Sequence, residues 1–65
     1  MSYNDYVTAV AKNFKKCGYS DKDTDKYFAT KEVSALLRKH YEGYNDKKFA
    51  SYSPEATASC LDMMY

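Results

Sequence analysis

Three stretches of the chain repeat apolar residues at the three-to-four-residue spacing of an amphipathic α-helix. In the first, Tyr3, Tyr6, Val7, Val10, Ala11, Phe14 and Cys17 share one face, and Asp5, Thr8, Lys12, Lys15 and Lys16 share the other. Ser2 suits the cap, Asp5 gives a weak capping box, and Gly18 suits the stop, so a helix is predicted over about residues 2–17. In the second, Val33, Leu36, Leu37, His40, Tyr41 and Tyr44 line one face behind a Thr30 cap. Gly43 reads as the left-handed residue that closes it, which predicts a helix over about 30–43. The third opens on Ser53-Pro54-Glu55, which is cap, N1 proline and first-turn acid. It carries Ala56, Cys60, Met63 and Met64 on one side, with Leu61 and Tyr65 widening the apolar surface, and runs over about 53–64.

Between the first two helices lies a polar, acidic segment ending in Tyr27 and Phe28. Extended backward, the second helix would place these two rings roughly 100° or more off its apolar stripe, so the pattern predicts a break near Ala29. The segment 19–29 reads as an irregular acidic connection. Residues 45–53 lack strong periodicity, and Phe49 and Tyr52 read as anchors of a link or short turn. The expectation is an all-α single domain, 1–65, in which the aromatic faces of the first two main helices pack together and the last closes the core.

Composition sharpens this picture. A chain of 65 residues buries only about 60% of the surface that it exposes when unfolded, so its core is thin. Eight tyrosines, three phenylalanines and no tryptophan imply a core built partly from rings with polar tips. Self-association is a common remedy for a thin core. Ten basic against nine acidic residues give no electrostatic footprint for nucleic acid or an anionic membrane. No apolar run reaches membrane-spanning length, and the first ten residues lack a signal-peptide pattern, so a cytoplasmic location is expected. Cys17 and Cys60 both fall in apolar patterns and read as buried free thiols, although spacing leaves a bridge between the first and last helices open.

The residues that could carry chemistry are few. His40 is the sole histidine and lies on an apolar face, where a satisfied, partly buried imidazole is expected. No nucleophile stands with it by spacing and there is no glycine-rich phosphate loop, so no enzymatic activity is expected. The three lysines of the first helix read as a solvated face.

Asp21-Lys22-Asp23-Thr24-Asp25-Lys26-Tyr27-Phe28-Ala29-Thr30-Lys31-Glu32 resembles the twelve-residue calcium loop of EF-hand proteins. The resemblance implies calcium ligands from the side chains of Asp21, Asp23, Asp25 and Glu32, with the Tyr27 carbonyl beside them. Lys26 stands where that family uses glycine. The stretch 29–41 loosely resembles the opening helix of MerR- and excisionase-type DNA-binding domains, which would put Lys31, Arg38 and Lys39 near phosphates. The ending ATASCLDMMY resembles short helical proteins of bacterial mobile elements.

The leading functional expectation is a non-enzymatic protein-interaction module without a cofactor. It would bind a protein partner or a second copy through Cys60, Leu61, Met63, Met64 and Tyr65. A calcium-binding protein is the alternative, and a small DNA-binding protein the third reading.

Overall fold

The computed structural model describes residues 1–65. It contains α1 (Tyr3–Lys15), α2 (Asp21–Phe28), α3 (Lys31–Lys47), a short 3₁₀ turn at Ala50–Tyr52 and α4 (Pro54–Met64), with no strand. The fold is all-α, as the periodicity requires.

Every helix begins on a hydroxyl. Ser2, Ser20, Thr30 and Ser53 accept the N–H of the residue three positions on, at 3.1, 3.1, 3.4 and 3.3 Å. Each cap satisfies a donor that the first turn leaves without an intrahelical acceptor. Acids follow in each first turn (Asp5, Asp21 with Asp23, Glu32 and Glu55), where the helix dipole favours them.

The segment 19–29 is not an irregular connection. Asp21–Phe28 is a helix, capped by Ser20 and ended at Ala29. It buries only Thr24, whose hydroxyl donates to the Ser20 carbonyl at 2.8 Å. Two turns with one buried residue carry no apolar stripe for a periodicity reading to find. The break at Ala29 is present, and the Thr30 cap restarts the chain as α3.

Gly43 does not close α3. The helix runs on to Lys47 and ends at Lys48, a left-handed residue at φ 57°. The Gly43 carbonyl accepts the N–H groups of both Lys48 and Phe49. Glycine serves at position 43 because the Tyr52 ring lies against its Cα: a methyl there would come within 2.8 Å of Tyr52 Cε2 and 3.5 Å of Phe49 Cδ2. Alanine in a helix interior normally gains about 1 kcal/mol over glycine. Here the overlap must displace a ring that is itself stacked on His40. Gly43→Ala is therefore expected to lose about 1–3 kcal/mol in urea denaturation. A gain in stability would mean that Tyr52 swings away freely.

The core holds Tyr6, Val10 and Phe14 from α1, Val33 and Leu37 from α3, and Ala58 and Leu61 from α4. The most extensive packing joins α1 to α4, rather than α1 to α3. Tyr6 meets Thr57 at the start of α4, and Phe14 meets Tyr65 just past its end, so these two helices run parallel. The expected aromatic pairing of α1 with α3 is confined to one end. There Tyr3 and Tyr6 lie edge-on to Tyr41 at 5.4 and 5.6 Å, and Arg38 sits 3.9 Å over the Tyr3 ring.

The tyrosine tips are satisfied as a ring-built core demands. Tyr6, Tyr27 and Tyr41 donate to the carbonyls of Tyr52, Leu61 and Met1 at 2.6, 3.0 and 2.9 Å. Tyr19 donates to the Asp62 carboxylate. No buried side-chain nitrogen or oxygen lacks a partner.

Candidate functional site

Helical geometry sets where the side chains of the acidic segment point. Successive residues on a helix differ by about 100°, so Asp21 and Asp25 share a side while Asp23 points nearly the opposite way. All three are exposed, and Asp21 pairs with Lys15 at 3.1 Å. Tyr27 directs its hydroxyl to the Leu61 carbonyl, and Glu32 lies in the first turn of the next helix. The twelve residues thus form a helix, a turn and a helix start. No three His, Cys, Asp or Glu side chains gather in one place.

The single histidine belongs to a polar knot. Thr57, fully buried at the start of α4, has its Oγ1 2.8 Å from the Tyr6 hydroxyl, 2.9 Å from His40 Nδ1 and 3.4 Å from the Tyr52 carbonyl. The His40 ring stacks on Tyr52 with centroids 4.1 Å apart. The knot ties α1, α3, the 3₁₀ turn and α4 together, and His40 is the satisfied, half-buried imidazole expected of its position. The hydroxyl beside its Nδ1 is that of buried Thr57.

Burial, aided by the nearby Lys39 charge, holds the His40 pKa below its ordinary value. Folding then favours the neutral ring. The associated stability is complete above the unfolded value near pH 6.5 and is lost as pH falls through the lower folded value. The melting temperature is expected to fall between about pH 7.5 and pH 5.5, above most carboxylate titration. A His40→Gln chain with an equal fall over that range would remove His40 as the cause.

The end of α4 places its residues differently from one another. Leu61 is fully buried in the core and is not available as a contact residue. Cys60 is half-buried, with its Sγ 4.0 Å from Met64 Sδ. Met63, Met64 and Tyr65 are 82, 53 and 61% exposed. Tyr65 is held on one side by the Tyr19 and Tyr27 rings, each at 4.9 Å. The Tyr19 pKa is pushed up to about 12, chiefly by donation to Asp62. Cys17 is exposed in the turn after α1, not buried, and both cysteines are free thiols. The methionine exposure has no signature in a helical wheel, which gives the apolar face but not what covers it.

A second feature lies between α1 and α2. An open groove of about 820 Å³ has Val7, Ala11 and Phe28 among its apolar lining residues. Lys12, Lys15 and Lys16 stand along α1, and Asp25 stands on α2. The lysines are exposed, as the sequence implies, but they border an apolar trough rather than a uniformly solvated face. Its other wall is α2, which the periodicity does not reveal. No helix is long and apolar enough to cross a membrane.

Neither a protein-family model, nor a curated protein, nor a solved structure matches this chain, so its function rests on its own geometry.

Proposed function

We propose that this chain is a non-enzymatic interaction module that pairs with a second copy of itself through the exposed side of α4. The observation that carries the reading is the joint exposure of Met63 and Met64 beside half-buried Cys60 on a helix already docked through Leu61. Exposed methionines are adaptable contact residues, because the thioether is polarizable and the side chain unbranched. α4 has no lysine or arginine, and its two acids are Glu55 in the first turn and Asp62, which is engaged by Tyr19. A two-fold contact sets a stripe against itself, which an uncharged stripe permits without like-charge repulsion.

The test is the mass of the chain in solution. Sedimentation equilibrium should show a monomer–dimer equilibrium. The double variant Met63→Lys, Met64→Lys should weaken it at least about tenfold, or about 1.4 kcal/mol. Its circular dichroism and melting temperature should stay near those of the parent, because both side chains face solvent. A parent chain that remains monomeric up to millimolar concentration, or a double variant that dimerises as the parent does, would refute this function.

A further inference from the structure

We infer that the groove between α1 and α2 is a second docking surface, and that it takes an acidic amphipathic helix of a partner protein. It involves none of the α4 residues and stands independently of self-pairing. Val7 and Ala11, one turn apart on α1, and Phe28 from α2 form an apolar strip that the fold leaves uncovered. From Val7 to Lys15, α1 rises through eight residue steps, about 12 Å along its axis, or a little over two turns. An occupant of matching length is a short helix seated between two others, the ordinary helix-in-groove mode. Strand addition is not an option, because the fold offers no sheet edge.

Charge selects the kind of helix. Lys12, Lys15 and Lys16 are spaced i, i+3, i+4 and therefore project along one side of α1. Carboxylates at the same spacing on an incoming helix meet them in register. Lys15 already shares its charge with Asp21 at 3.1 Å, which leaves Lys12 and Lys16 as the free cations. Asp25, from α2, favours a basic residue on the far flank of the occupant. The complement is thus a helix with an apolar strip, carboxylates on one flank and a lysine or arginine on the other.

The probe is a synthetic helical peptide of about three to four turns, with leucines at i, i+3, i+4 and i+7 and glutamates along one flank. Its control keeps the leucines and replaces each glutamate with lysine. Titrated into the full chain and followed by two-dimensional amide NMR, the acidic peptide should shift Val7, Thr8, Ala11, Lys12, Phe28 and Ala29. The lysine control should bind at least about tenfold more weakly, and affinity for the acidic peptide should drop with added salt. Lys12→Glu with Lys16→Glu should reverse the preference, and both exposed positions should tolerate the change without loss of fold. Equal binding of the two peptides, or no shift in the groove at millimolar peptide, would overturn the inference. So would shifts in the groove that depend on protein concentration without peptide, which would make the occupant a second copy. Binding of phosphatidylglycerol vesicles through these residues in place of the peptide would assign the groove to a lipid surface instead.

Discussion

Replacing Phe14 with alanine should come close to unfolding the chain. Phe14 is fully buried, and its ring is the meeting point of three elements. Tyr19 stacks on it at 4.1 Å from the α1–α2 link, Phe28 and Tyr27 approach at 5.4 and 5.5 Å from α2, and Tyr65 lies at 6.2 Å past α4. Truncating a buried phenylalanine costs about 3–5 kcal/mol, as lost transfer energy plus the cavity left behind. A domain of this length has roughly 3–10 kcal/mol in total. Urea denaturation followed by far-ultraviolet circular dichroism should therefore show a midpoint near zero denaturant, or a broad transition. Phe14→Leu, which keeps much of the volume, should retain a cooperative transition. A loss under about 1 kcal/mol for the alanine variant would mean that the surrounding tyrosines collapse into the gap and hold the fold without it.

Thr57→Val should have the second-largest effect, and for a different reason. The substitution keeps shape and removes one hydroxyl. That hydroxyl touches Tyr6, His40 and the Tyr52 carbonyl inside the protein. Tyr6 retains its donation to the Tyr52 carbonyl at 2.6 Å, but the His40 Nδ1 loses its partner. Leaving a buried or half-buried polar group unpaired costs about 1–3 kcal/mol. Thr57→Ser keeps the hydroxyl and loses a methyl, with a cost of about 1 kcal/mol. Valine should prove more damaging than serine in the same denaturation experiment. The reverse order would show that position 57 contributes through its methyl packing and that the knot adds little.

How much of this fold can be read from residues alone depends on which signal each element carries. α1, α3 and α4 are visible because each has a sustained apolar face, and the break at Ala29 is visible because Tyr27 and Phe28 fall off the α3 stripe. α2 is hidden from periodicity, yet it is announced by a cap: Ser20-x-x-Asp23 repeats the pattern of Ser2-x-x-Asp5. Three aspartates at alternate positions suggest a loop wrapped around a cation, whereas the same residues beside a serine cap favour a helix start. The capping hydroxyl is the stronger local constraint.

The Gly43 misreading has a tertiary cause. A glycine near a helix end suggests a left-handed stop, but here the absence of a side chain makes room for Tyr52, nine residues on. The main packing partner of α1 is equally illegible, because an amphipathic face does not say which other face it meets. Of the residues expected to form the contact surface, Met63, Met64 and Tyr65 are exposed, whereas Leu61 is the one taken into the core. The groove could not be seen at all without α2, although its lysines were plain in the first helix.

The parallel pairing of α1 with α4 also bears on how the chain is made. Contacts such as Tyr6 to Thr57 join residues 51 positions apart, so they form only after the intervening chain has been synthesised. At about 5–20 residues per second, Tyr6 waits roughly 3–10 s at the ribosome before Thr57 exists. Through that interval the apolar face of α1 has only α2 and α3 to cover it. α1 is therefore translated well before α4, the helix that covers most of it. Its face of tyrosine, valine and phenylalanine is the surface that a nascent-chain chaperone would meet.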